Sequence, residues 1–271
     1  MTPYQVIRPQ GQALPVLLSV PHCGTEFPAE IKDEFFQELI TAPDDTDWFV
    51  HQLYDFAPSM GITLLHSTYS RWVVDLNRHP ESKPLYSDGR IITAACPTTD
   101  FLGNPLYKDH RKVVAAAEMA RRVELYYRPY HEKIAALLTE LRTKYHQVLL
   151  WDCHSIRHLV PTIRAERFPD LILGDADGTA ASPGMSETAL RCLEQGNWKV
   201  SHNHPFKGGY ITRHFGKPMD GIHALQLEMN KINYMDDSET QYDEVRAERV
   251  RDLLKSTLQT MADQLLEADH D

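Results

Sequence analysis

The chain has 271 residues, 42% hydrophobic and 24% charged, with a formal net charge of -10 at pH 7. That is the composition of a globular protein large enough to bury a full core, and its acidity excludes nucleic acid and anionic membrane as partners, which need a basic surface. No apolar run is long enough to span a bilayer, and Met1-Thr2-Pro3-Tyr4 lacks a basic segment followed by an apolar one, so one cytoplasmic domain over 1–271 is expected.

In chain order, the apolar run 16–20 predicts a buried strand that ends just before Pro21-His22-Cys23-Gly24. Residues 30–41 and 47–57 read as helices, the second with Asp44 or Asp45 as N-cap and Pro58 just past its end. Strands follow at 61–66 and 71–76. The stretch 78–109 holds Pro80, Pro84, Gly89, Pro97, Gly103 and Pro105, and a loop that long inside a domain is usually a lid or a binding loop. Residues 110–146 are helical in period, but Pro129 removes a backbone donor and should kink or split the helix near Tyr127. Further strands are expected at 148–151, 171–173, 198–201 and 222–227, with helices at 186–195 and 239–267. This alternation predicts an α/β fold in three layers, a mixed and mostly parallel sheet flanked by helices.

Three polar groups fall where predicted strands end: His22, His154 in Asp152-Cys153-His154-Ser155, and Glu228 in Leu227-Glu228-Met229. Ligands bind at that edge in open α/β sheets. Two histidines and a carboxylate suit a hydrolytic zinc site, which keeps one position open for water, although the same donors accept cobalt, manganese or iron. The cysteines Cys23, Cys96, Cys153 and Cys192 have no CxxC spacing, so reduced thiols are expected. Cys23 and Cys153 adjoin the two histidines and should point to the opposite face, as buried apolar thiols behind the site.

Taken with Asp45-Thr46-Asp47-Trp48, Ser70-Arg71, Asp75-Leu76-Asn77-Arg78, Gly208-Gly209-Tyr210-Ile211-Thr212 and Gln226-Leu227-Glu228, in this order over about 16–234, the chain resembles the N-formylglutamate amidohydrolases. The resemblance implies a fold similar to the zinc carboxypeptidases (phosphorylase/hydrolase-like). It also implies hydrolysis of a small molecule, N-formyl-L-glutamate, to formate and L-glutamate in histidine degradation. It points to the pair Asp45 and Asp47 for the third zinc ligand. Asp47 is taken as that ligand because an aspartate at the position of Asp45 commonly caps a helix; Glu26, in an HxxxE spacing after His22, is the weaker alternative.

Glu228 is read as the general base, since one carboxylate beside a metal-bound water can take a proton and return it to the leaving amine. Arg71, Arg78, Arg164 and Arg213 are candidates for the two substrate carboxylates, because planar guanidinium groups bind carboxylates in bidentate fashion. Asp75 would orient Arg78 or Arg71; the alternative is that these arginines merely make internal ion pairs with Asp75 or Asp152. His51, His79, His110, His146, His158 and His214 lack a partner at ligand spacing, His202 and His204 alternate as strand neighbours do, and His131 has no assigned role. Two other functions compete: a zinc deacylase or carboxypeptidase on another acyl amino acid or peptide, and a non-catalytic binder of anionic metabolites.

Overall fold

The structure is a computed structural model and describes residues 2–83, 94–109 and 111–268. Seven strands form one sheet: β1 Tyr4–Ile7, β2 Val16–Val20, β3 Thr63–Ser67, β4 Val148–Ile156, β5 Leu171–Gly174, β6 Val200–His202 and β7 Ile222–Asn230, in the order β1-β3-β2-β4-β7-β5-β6. The centre β3-β2-β4-β7 is parallel. β1 joins β3 antiparallel, and β5 joins β7 antiparallel. Every residue of β2 and β4 is buried, as continuous apolar runs require when helices cover both faces. β1 has no such run, alternates half-buried with exposed residues, and escapes a reading based on apolar content.

Helices lie on both faces: α1 Ala29–Lys32, α2 Gln37–Thr41, α3 Val50–Leu53, α4 Ala116–Arg122, α5 Arg128–Arg142, α6 Pro183–Leu193, α7 Tyr210–Phe215 and α8 Glu244–Glu267. Apolar side chains of α3, α6 and α8 form one core with Leu18, Trp151, Cys153 and Leu227. Those of α1, α2, α5 and α7 form the second with Leu17, Leu150 and Ala224 on the other face. The mixed, mostly parallel three-layer expectation is therefore what the chain adopts. All four cysteines are free and buried, and Cys23 and Cys153 lie in the first core, behind the histidines. No helix among the described residues is long and apolar enough to cross a membrane.

Several element expectations need correction. Helix 30–41 is broken into α1 and α2, because Phe35 leaves the helical path to stack on Tyr107 at 4.3 Å. Helix 47–57 shrinks to α3, followed by a 3₁₀ turn at Ala57–Met60. Its N-cap is Phe49, in the left-handed region at φ 61°, with no side-chain cap, so neither Asp44 nor Asp45 caps it. Residues 71–76 form no strand, although Trp72, Val73 and Val74 are buried; Arg71 and Asp75 close an i,i+4 ion pair across this turn instead. The long helix does split near Tyr127: a π-helical turn, Val123–Tyr127, joins α4 to α5 just ahead of Pro129, whose missing N–H removes one rung of the ladder. His110, its expected first residue, lies outside the described residues, and α4 begins at Ala116. The last helix starts at Glu244, where the Asp243 carboxylate accepts from Val245 N and Arg246 N. The short helix α7 follows a glycine pair that reads from sequence as a turn.

Residues 84–93, the middle of the expected lid, lie outside the described residues. The remainder is tied down: Asp75 N donates to Ala95 O at 2.7 Å, and Phe101 N donates to the Asp45 carboxylate at 3.1 Å.

Candidate active site

The parallel strands β2, β4 and β7 end on the same edge of the sheet, and the register sets His154 of β4 beside Glu228 of β7. Asp152 pairs with Gln226 one pleat earlier, so four polar side chains form a patch on one face where the apolar run stops. His22 follows β2 by two residues. Gly24 is required just after it, because a Cβ there would meet Tyr69 O at 2.3 Å. Asp47 reaches the same place through its backbone, whose N–H donates to His22 O at 3.0 Å.

One donor atom from each of His22, Asp47 and His154 lies within 4.8 Å of the others, and all three residues are buried. Asp47 Oδ2 stands 3.0 Å from His154 Nδ1 and 3.7 Å from His22 Nδ1. The opposite ring nitrogens are held from behind. His22 Nε2 is 2.7 Å from Asp75 Oδ1, and His154 Nε2 is 3.1 Å from Asp152 Oδ2. With each Nε2–H given to a carboxylate, each Nδ1 turns a lone pair inward. His22 Nδ1 is buried and has no hydrogen-bond partner, so its lone pair could ligate a cation. Burial opposes the charge of Asp47, yet the two imidazoles beside it outweigh burial and hold the carboxyl below the usual range. The donor set of two imidazoles and one carboxylate fits zinc with a position left open.

Asp45 does not reach this cluster. Its carboxylate accepts from Trp72 Nε1 at 2.9 Å and from Phe101 N, and burial pushes its pKa up to about 6. Glu26 is exposed and contributes only a backbone bridge to Tyr69.

Glu228 Oε2 accepts from Gln226 Nε2 at 3.1 Å. Burial, with Asp47 and Asp152 adding repulsion against the attraction of His154 and Arg71, pushes its pKa up to about 7. Arg71 is buried, bonds Asp75 Oδ2 through Nη2 at 2.6 Å, and lies over the Phe101 ring at 4.7 Å. Arg78 leans on the same carboxylate, its Nε 3.9 Å from Asp75 Oδ2. Asp75 thus pairs with both arginines, which fits the orienting role and the internal-ion-pair alternative alike, and it holds His22 as well. Arg164 turns to Glu166 at 3.4 Å and the Phe168 ring, and Arg213 Nε donates to Gly208 O at 3.0 Å.

Sequence reasoning assigned no role to Asn77. Its Nδ2 donates to Asp152 Oδ2 at 3.1 Å and lies 2.8 Å from His154 Nε2, while its Oδ1 accepts from Ile211 N at 2.7 Å. Gly209 N donates to Gln226 Oε1 at 2.7 Å. The start of α7 is therefore clamped by side chains of the site, and the only signal in the sequence was that both Asn77 and Gly209 lie in quoted motifs. His131 Nε2 bonds Leu76 O at 2.8 Å and Tyr127 Oη donates to Arg78 O at 2.9 Å, so the loop bearing Asn77 is pinned from both sides. His202 bonds Asp175 at 2.9 Å, and His204 lies beyond the end of β6.

Polar groups gathered at the carboxyl ends of parallel strands, with a half-buried acid beside a His/Asp/His cluster that could hold a cation, are the arrangement of a hydrolase of the three-layer α/β type. A family model described as N-formylglutamate amidohydrolase matches residues 14–235. An N-formylglutamate deformylase of Pseudomonas putida is 39% identical over 254 residues, 93% of each chain. Another, of Pseudomonas aeruginosa, is 38% identical over 92% of each. The crystal structure of N-formylglutamate amidohydrolase from Ralstonia eutropha JMP134 superposes with a TM-score of 0.83 at 27% identity, covering 99% of this chain and all 100% of that one. The chain belongs to the N-formylglutamate amidohydrolase family and is a hydrolase acting on a C–N bond other than a peptide bond.

Proposed function

We propose that the chain hydrolyses N-formyl-L-glutamate to formate and L-glutamate, with a divalent cation, zinc in the first instance, held by His22, Asp47 and His154. The observation that carries the metal is His22 Nδ1, buried without a partner among three donor atoms that lie within 4.8 Å of one another. The substrate comes from the names of the relatives. A bound zinc supplies a Lewis acid and a water of lowered pKa.

The chain supplies the rest. Glu228 takes the proton of the attacking water and delivers it to the departing amine nitrogen, so one carboxylate serves both halves of the reaction. Gln226 fixes its Oε2. Asp75 and Asp152 hold the imidazoles in the tautomer whose Nδ1 faces the cluster, and Asn77 keeps Asp152 in place. Arg71 and Arg78, both anchored on Asp75, are the arginines assigned first to substrate carboxylate. Arg164 and Arg213, which turn to Glu166 and to Gly208 O, are assigned second.

The test is formate release from N-formyl-L-glutamate by purified protein, before chelation, after it, and with zinc restored, beside N-acetyl-L-aspartate. Metal-dependent turnover of the formyl substrate is expected. Turnover that survives complete metal removal would refute the metal assignment, and turnover of the acetyl compound alone would refute the substrate.

A further inference from the structure

The segment that carries Asp47 follows an unfavourable backbone path. Phe49, two residues on, has φ 61° and ψ 4°, in the left-handed region that a bulky side chain rarely enters. Such a conformation persists only where its surroundings hold it, and strain of this kind gathers at functional sites. The residues that follow β7 do the holding. Tyr234 is fully buried, and its Oη donates to Trp48 O at 2.8 Å. Lys231, in the 3₁₀ turn Lys231–Asn233, is buried as well, and its Nζ donates to Asp44 O at 3.0 Å. Asp44 and Trp48 stand on either side of Asp47, so the two bonds grip the chain before and after the carboxylate. Within the loop, Trp48 Nε1 donates to Pro43 O at 3.0 Å.

Tyr234 has a second partner. Its Oη lies 2.7 Å from Ser155 Oγ, and Ser155 is the residue next to His154 in β4. A phenol carries one proton and Trp48 O can only accept, so that proton goes to Trp48 O and the Ser155 hydroxyl supplies the other bond. One buried oxygen thereby ties the backbone after Asp47 to the strand after His154. These are the two residues whose Oδ2 and Nδ1 stand 3.0 Å apart in the cluster. We propose that Tyr234 is a positioning residue of the metal centre, its hydroxyl setting the separation of Asp47 from His154 while Lys231 fixes the other end of the Asp47 loop. This rests on the metal reading above and goes beyond it, since that reading gave neither residue a role.

Tyr234→Phe keeps the ring and removes only the hydroxyl. Tyr145→Phe is the matched control, because Tyr145 Oη also donates to a backbone carbonyl, Ala13 O, but ahead of β4 and β2, at the opposite end of both strands from the site. Zinc affinity, measured by competition with a chromogenic chelator, should be about 10-fold weaker in Tyr234→Phe, the lower end of the effect of groups that hold a metal ligand from behind, and unchanged in Tyr145→Phe. The visible absorption of cobalt-loaded protein should change in Tyr234→Phe alone, since it reports the geometry of the donors and not the stability of the fold. An equal zinc affinity, an unaltered cobalt spectrum, or the same loss in both variants overturns the proposal. Should Tyr234→Phe fail to fold, Ser155→Ala, which removes the His154 side of the tie alone, decides by the same readouts. A wild type that binds neither zinc nor cobalt refutes the metal reading and the proposal with it, whereas a wild type and a Tyr234→Phe that bind both alike refute the proposal alone.

Discussion

Asp75→Asn removes one charge and keeps the shape of the side chain. Asp75 is fully buried and accepts from His22 Nε2 at 2.7 Å, Arg71 Nη2 at 2.6 Å and the backbone N–H of Asn77 at 2.9 Å. An asparagine offers one oxygen and one amide group, so either His22 or Arg71 would face a second donor. Breaking a buried ion pair from one side costs about 3–5 kcal/mol. At roughly 2–4 °C per kcal/mol for a chain of this size, the unfolding temperature should drop by about 6–20 °C. Burial opposes the charge of Asp75, but Arg71, His22 and Arg78 outweigh it and hold the carboxyl well below its ordinary 3.8. A depressed folded pKa gives stability that is fully present above the unfolded value and lost as pH falls through the folded one. The gap between wild type and Asp75→Asn should therefore be constant from neutral pH down to about pH 4 and narrow below it. Loosening His22 should also weaken metal affinity about 10- to 100-fold. Circular dichroism melts across pH and metal content after dialysis against buffered zinc measure both effects. A melt within about 2 °C of wild type at pH 7, with metal affinity unchanged, would refute the account of Asp75 as the common anchor of ligand and arginine.

Glu228→Gln should lower formate release about 10²- to 10⁴-fold, the usual weight of a general base, while metal content stays the same; loss of metal would place Glu228 among the ligands instead. Because a base works deprotonated, kcat/KM should rise with pH through the pKa of Glu228, with a midpoint below about 7 once a cation is bound; a profile that falls over this range contradicts the assignment. In metal-free protein the raised carboxyl costs stability as pH climbs from 4.5 to about 7, so Glu228→Gln should melt higher than wild type at pH 8 and alike at pH 4. Gly209→Ala places a Cβ 2.3 Å from Asn77 Nδ2, and overpacking of that kind costs about 1–3 kcal/mol. Formate release should fall with it, because Asn77 braces Asp152 and His154. Gly184→Ala is the contrast: the nearest atom to its Cβ is 3.9 Å away within α6, so it should be stabilising by up to about 1 kcal/mol and leave turnover intact. A thermal melt and a formate assay on both glycine variants check the pair.

The sequence by itself determined the central strands and the residues at their ends. β2, β4 and β7 carry apolar runs that only a doubly covered strand needs, and a polar residue at the close of such a run has nowhere to point except the sheet edge. His22, His154 and Glu228 were legible for that reason. The helical split before Pro129 was legible too, because a missing N–H acts locally. Residues 71–76 misled because Trp-Val-Val is equally good apolar content for a strand and for a buried turn. The sequence preferred Asp47 to Asp45 on a capping preference that α3 does not realise, and the tertiary structure supplied the actual reason for placing Asp47 in the cluster. The two residues are alike in type and two positions apart, and the difference lies in Trp72 and Phe101, which arrive from elsewhere in the chain to occupy the Asp45 carboxylate. The same holds for the anchors Asp75 and Asn77 and for Lys231. A lysine after a strand reads as a solvated end, and what makes it a buried cation is the approach of Asp44 from a segment 187 residues away. Local patterns record whether a side chain is to be buried, whereas its partner is set by the long-range packing that buries it.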